Sequence, residues 1–135
     1  MKFQASIWWT FCFFEDSMTT QNKAYIALGS NLGDKFKNLQ KAIDAIHQKI
    51  GSVKSISRVY STPALGFEGA DFFNACIAVE TYLSAHKLLW ALLEIETAQG
   101  RKRSSKKTYE SRSIDLDLLL FDDEVIESRQ LTVPH

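Results

Sequence analysis

The apolar positions change period several times along the chain, and each change marks an element. Residues 23–28, KAYIAL, are a short apolar run that stops at Gly29-Ser30-Asn31 and reads as a strand. Phe36, Leu39, Ile43, Ile46 and Ile50 then recur at intervals of three and four, one stripe along a helix that Asp34 caps and Gly51 stops. Residues 53–60 alternate and carry β-branched side chains, which predicts a second strand, and Thr62-Pro63 with Gly66 and Gly69 then makes a loop. Residues 73–82 form a third strand, with Phe73, Ala75, Ile77 and Val79 on one face and Asn74, Cys76, Ala78 and Glu80 on the other. Helical spacing returns after Ser84, with Leu88, Leu89, Leu92, Leu93 and Ile95 as the buried side and Gln99-Gly100 as the stop. From Ile114 the period is two: Ile114, Leu116, Leu118 and Leu120 share one face, and Asp115, Asp117, Leu119 and Phe121 share the other. Asp122-Asp123 reads as a turn, residues 124–127 as a brief returning strand, and residues 131–135 as the start of another segment. The order β-α-β-β-α-β predicts an α+β fold, a ferredoxin-like βαββαβ antiparallel sheet with two helices on one face.

The last strand is where chemistry enters. A rise of about 3.3 Å per residue puts the Cα atoms of Asp115 and Asp117 roughly 6 to 7 Å apart on one face, a spacing from which two carboxylates can hold a divalent ion. Just before them, residues 101–112 carry Arg101, Lys102, Arg103, Lys106, Lys107 and Arg112 against Glu110 alone. Such a cluster attracts a polyanion. Carboxylates repel phosphate and arginines repel magnesium, so the two sets side by side suggest a metal-bound phosphate ester that bridges them, and a nucleoside triphosphate with Mg²⁺ fits. On spacing alone, a solvated loop beside the wet face of an edge strand stays open. Asn74 in a pocket competes with Asn74 as a structural amide, and Thr62-Pro63 is ordinarily a turn. His47 and His86 read as surface helix residues. GSNLG at residues 29–33 lacks the G-x-G-x-x-G spacing of a dinucleotide site and reads as a turn, with ligand contact through the helix-start amides as the other reading.

Composition narrows this further. At 135 residues the chain is expected to form one domain, and 16 basic against 16 acidic residues leave no net charge to attract polyanions, so clustering must do so. Cys12 and Cys76 show neither disulfide nor zinc spacing, consistent with a reducing cytoplasm. Residues 1–17 begin with Lys2 and an aromatic-rich run, but Glu15 and Asp16 follow directly and no cleavage site appears, so neither export nor a membrane span is expected. Met18 is the expected natural start, with 1–17 an extension ahead of a domain over 18–135.

Six ordered fragments carry a resemblance: GSNLGD at 29–34, STPALG at 61–66, FFNA at 72–75, QGR-x-R at 99–103, R-S-I-D-L-D at 112–117 and LTVPH at 131–135. Together they resemble the 6-hydroxymethyl-7,8-dihydropterin pyrophosphokinases of folate biosynthesis, from about residue 23 to residue 135. The resemblance implies transfer of pyrophosphate from ATP to the pterin's hydroxymethyl oxygen, releasing AMP, with two Mg²⁺ ions held by Asp115 and Asp117. Arg101, Arg103 and Arg112 match arginines near the phosphates, and Arg101 and Arg112 are the expected catalytic cations. His135 matches a histidine that touches the nucleotide phosphates, Glu96 and Thr132 match positions near the nucleoside, and Leu118 lies on the strand that lines the adenine pocket. For the pterin, the resemblance implies a slot between aromatic planes. Asn74 matches the amide that bonds the ring, and Thr62, Pro63 and Leu65 match the loop that closes one side. Phe72 replaces a frequent tyrosine, and Tyr109 stands where many members have tryptophan. The expected partners are ATP and the pterin, with no nucleic acid and no membrane, and the expected state is a monomer. Family members continue past the histidine with an arginine and a phenylalanine that serve the site, whereas this sequence stops at His135. Two other readings therefore accompany the kinase: an impaired ATP- and pterin-binding relic, and a single-stranded RNA binder built on the same sheet.

Overall fold

Residues 21–100 and 111–135 are described by the computed structural model. The elements are β1 (Asn22–Ser30), α1 (Lys35–Lys49), β2 (Gly51–Ile56), β3 (Tyr60–Thr62), β4 (Phe72–Thr81), α2 (Ala85–Ala98), β5 (Asp115–Phe121), β6 (Ile126–Glu127) and β7 (Thr132–Val133). The main sheet has the order β2-β4-β1-β5, with β3 also paired to β4, and every pairing is antiparallel. Each helix thus connects strands with one other strand between them, the split βαβ arrangement of the expected ferredoxin-like fold.

Period-two burial explains why the helices cover one face. Ala24, Ile26 and Leu28 of β1, Ile77 and Val79 of β4, and Leu116 and Leu118 of β5 form one buried cluster with Leu39 and Ile46 of α1 and Leu88, Leu92 and Ile95 of α2. The opposite parity points away from the helices and carries Tyr25, Asn74, Asp115 and Asp117. Both helices start as their sequences indicate. The Asp34 carboxylate accepts from the Lys37 N–H at 3.1 Å and the Ser84 hydroxyl from the Lys87 N–H at 3.4 Å. Past α2, Gly100 takes φ +93°, the left-handed turn that ends many helices.

Four expectations shift. The second strand divides into β2 and β3 at Ser57, whose N–H still donates to the Cys76 carbonyl at 2.8 Å while the Cys76 N–H is taken by the Ser57 hydroxyl, also at 2.8 Å. Phe36 is 61% exposed rather than part of the buried stripe; it lies in the first turn of α1 and packs edge-on against Phe73, at 4.9 Å between centroids. Alternation in β5 breaks after Leu118. Tyr25 pairs with Leu120 but Ile26 with Leu118, so Leu119 is an extra, bulged residue. The parity flips there: Phe121 is buried and Leu120 is 41% exposed. Finally, the brief returning strand expected over 124–127 is confined to β6 (Ile126–Glu127), which pairs with β7. The extension 1–17 and the Met18 start lie outside the described residues.

Candidate active site

Strand register sets out the site before any side chain is considered. Gly29 pairs with Asn74 on one side and with Asp115 on the other, and Tyr60 pairs with Asn74. Two residues along, Ala27 lies between Cys76 and Asp117. Directly opposed residues share a face, so an amide, a bare glycine and a carboxylate stand in one row on the side away from the helices. A cavity of about 490 Å³ opens above that row.

Its floor is low because β1 supplies Ala27, Leu28 and Gly29, and the Leu28 side chain is buried on the helix side. A Cβ on Gly29 would lie 3.1 Å from Asn74 Oδ1 and 3.6 Å from the Phe72 ring. We therefore expect Gly29→Ala to weaken binding of a flat ligand by about tenfold, with little loss of stability, since the methyl occupies ligand space and displaces the amide. Isothermal titration of a pterin analogue checks this, and unchanged affinity would show that the ligand avoids the floor.

One wall comes from the loop after β3, with Thr62, Pro63, Leu65 and Phe67. Asn74 Nδ2 donates to Thr62 Oγ1 at 2.6 Å, which ties that wall to β4 and fixes the amide's orientation. Phe72 and Phe67 meet edge to face, with centroids 6.4 Å apart and ring planes at 89°. At the other end the lining turns charged with Arg112, Asp115 and Asp117. Arg112 Nη1 lies 3.2 Å from Asp115 Oδ1, and both side chains are about a quarter exposed, at 26% and 25%. Arg112 is aimed by its backbone, which exchanges two hydrogen bonds with Asn31: Asn31 N–H to Arg112 O at 3.0 Å and Arg112 N–H to Asn31 Oδ1 at 2.6 Å.

Thr62, Pro63, Leu65, Phe72, Asn74, Arg112, Asp115 and Asp117 are thus gathered in one cavity. Others fall elsewhere. Leu118 is 3% exposed in the helix-facing core, on the opposite side of β5 from both aspartates. Glu96 is 2% exposed, and its Oε1 accepts from the Leu116 N–H at 3.0 Å, so it braces β5 from beneath. Thr132 and His135 are exposed on and after β7, where the His135 N–H donates to the bulged Leu119 carbonyl at 3.0 Å. Arg101, Arg103 and Tyr109 lie outside the described residues. Ala27 of the floor and Phe67 of the wall were not singled out in the sequence, and Gly29 and the brace Asn31 read there only as turn residues. The period-two parity of β1 pointed to the floor, but nothing local pointed to Asn31.

Among the described residues no three His, Cys, Asp or Glu side chains group as a metal cage. Two hard carboxylates beside an arginine still fit Mg²⁺, which is commonly held by one or two carboxylates together with substrate phosphates and water.

Comparison with known proteins fits this geometry. Residues 25–135 match the model of the family described as 7,8-dihydro-6-hydroxymethylpterin-pyrophosphokinase (HPPK). The chain belongs to the HPPK family. It is 41% identical over 116 residues to the 2-amino-4-hydroxy-6-hydroxymethyldihydropteridine pyrophosphokinase of Bacillus subtilis, covering 84% of this chain and 68% of that protein. With the Haemophilus influenzae protein of the same description it shares 41% identity over 114 residues, 83% of this chain and 70% of that one. The fold is similar to the crystal structure of an HPPK-DHPS in complex with substrates, with a TM-score of 0.60 and 15% identity over 78% of this chain and 28% of that one.

Proposed function

We propose that this HPPK-family chain binds ATP and 6-hydroxymethyl-7,8-dihydropterin across the row Asn74, Gly29, Asp115 and transfers pyrophosphate between them. The carrying observation is that one cavity joins an apolar, amide-bearing half to a charged half with two carboxylates and an arginine. The pterin hydroxymethyl oxygen forms a bond to the β-phosphorus of ATP, the bond from that phosphorus to the α–β bridging oxygen breaks, AMP leaves, and the hydroxyl proton passes to solvent. No protein nucleophile takes part.

Phe72 and the Pro63–Leu65 side of the loop pack on the pterin faces. Asn74, with Nδ2 committed to Thr62, presents Oδ1 to N–H donors on the ring edge. Asp115 and Asp117 would hold Mg²⁺, two ions in this reading, and the bound metal would supply charge neutralisation for the triphosphate and polarisation of the β-phosphoryl group. Arg112 moves from Asp115 toward the phosphates and stabilises charge on the departing AMP oxygen. In this reading Arg101 and Arg103, matched to family arginines, supply further positive charge to the phosphates, and Tyr109 contributes to substrate binding. Glu96 and Leu118 serve the nucleoside side by holding β5 in place, while Thr132 and His135 approach the nucleotide from β7. The chain works as a monomer in the cytoplasm, without nucleic acid or membrane. Among the described residues no helix is long and apolar enough to cross a membrane.

The RNA-binding reading finds little support on the two central strands. Their open face carries Ala27, Gly29, Asn74, Cys76 and Ala78, and its two aromatics, Phe72 and Tyr25, stand far apart, since Tyr25 pairs with Ala78 near the other end of β4, so they do not form one base-stacking platform. The deciding experiment is AMP release by the purified chain with ATP and Mg²⁺, with and without the hydroxymethyl dihydropterin. We expect AMP only when the pterin is present. A folded chain that releases none would leave the relic.

A further inference from the structure

Asn31 follows β1 and is 3% exposed, yet it carries a polar side chain with two donors and an acceptor to satisfy. It satisfies them on two different walls of the cavity. Nδ2 donates to the Ala70 carbonyl at 3.2 Å, in the loop that carries Pro63, Leu65 and Phe67, and to Ser111 Oγ at 3.3 Å. Oδ1 accepts from the Arg112 N–H at 2.6 Å, while the Asn31 N–H donates to the Arg112 carbonyl at 3.0 Å. These partners lie 39, 80 and 81 residues away in sequence. The turn at the end of β1 therefore clamps together the apolar wall and the segment that delivers Arg112 to Asp115.

We infer that Asn31 is a positioning residue that sets the separation between the pterin half and the phosphate half of the cavity; this rests on the functional reading above. In-line transfer needs the attacking oxygen and the phosphorus near contact distance, and a misplacement of about 1 Å costs on the order of a hundredfold in rate. Asn31 touches neither substrate. Its effect passes through the Ala70 loop on one side and the Arg112 backbone on the other.

Two substitutions separate the two ties. Asn31→Asp keeps an oxygen for the Arg112 N–H but turns a second oxygen, in place of a donor, toward the Ala70 carbonyl. Asn31→Ala removes both ties. We expect Asn31→Asp to raise KM for the pterin about tenfold while KM for ATP stays within about twofold, the effect of losing one buried hydrogen-bond anchor. For Asn31→Ala we expect both KM values to rise and kcat to fall about a hundredfold. Amide hydrogen exchange reads the ties directly: Arg112 N–H protection persists in Asn31→Asp and is lost in Asn31→Ala, and residues 65–71 exchange faster in both. If both variants fold and keep wild-type kinetics, or lose activity with both KM values unchanged, the inference is overturned. If the wild type shows no pterin-dependent AMP release, the functional reading falls instead, and unchanged exchange in Asn31→Ala would still refute the clamp.

Discussion

Asp115→Ala and Asp117→Ala are each expected to reduce pterin-dependent AMP release by about a thousandfold or more, while the thermal midpoint moves by only a few degrees. The asymmetry follows from location. Both carboxylates point away from the helices into the cavity, and Asp115 is about a quarter exposed, so neither substitution opens a hole in the core. The ion pair that Asp115 makes with Arg112 is part-exposed, and pairs of that kind contribute about 0 to 1 kcal/mol. Without a carboxylate, however, the triphosphate meets the site with less of its charge neutralised, and the β-phosphorus loses its fixed position. Asp115→Asn makes the argument sharper: it keeps size and an acceptor oxygen but removes the charge, and should lose nearly as much activity. Assays across a range of Mg²⁺ concentrations give the check. Full activity in either alanine variant at ordinary Mg²⁺ would remove the aspartates from the mechanism.

Gly51→Ala should destabilise the fold by about 3 kcal/mol, roughly a hundredfold in the folding equilibrium, without touching the cavity. Gly51 opens β2 directly opposite Thr81. A Cβ there would press on the Glu80 carbonyl oxygen and lie 3.0 Å from both the Glu80 carbonyl carbon and the Thr81 Cα. All three are main-chain atoms of the strand next to it, so no side-chain rotation relieves the clash. The β2 strand must move away, which also strains the bond from the buried Thr81 hydroxyl to the Ile50 carbonyl, 2.7 Å in the native fold. Urea unfolding followed by far-UV circular dichroism measures the loss. A change below about 0.5 kcal/mol, the range of ordinary surface substitutions, would mean that the strand has room to spare.

Much of this molecule was legible in the sequence because its elements are locally consistent. The stripe from Leu39 to Ile50, the caps Asp34 and Ser84, and the alternation across Ala75, Ile77 and Val79 each carry their period within a few residues. The aspartates and Asn74 were readable for the same reason, since parity alone places them on one face. Phe36 misled because helical spacing does not tell how much of each turn the sheet covers; it rests on Phe73 of β4 yet stays largely exposed. The bulge at Leu119 was hidden in a run of four apolar residues, where either parity looks satisfied. Gly29 and Asn31 looked like turn residues because their roles depend on pairing with Asn74, Asp115 and Arg112, many residues away. Non-local register has no local signature.

The bulge also bears on why β5 does not slip. A strand reading Leu-Asp-Leu-Leu-Leu-Phe has few apolar positions that would object to moving by one residue. Its aspartates object for it. A one-residue shift would drive Asp115 and Asp117 beneath the helices, where an unpaired carboxylate costs several kcal/mol. The bulge confines the phase change to Leu119, downstream of both, so that Phe121 reaches the core without dragging the carboxylates along. The two charges on which transfer depends are in this sense also the strand's error detector: a misaligned chain pays its penalty at the same residues that a correctly aligned one uses for chemistry.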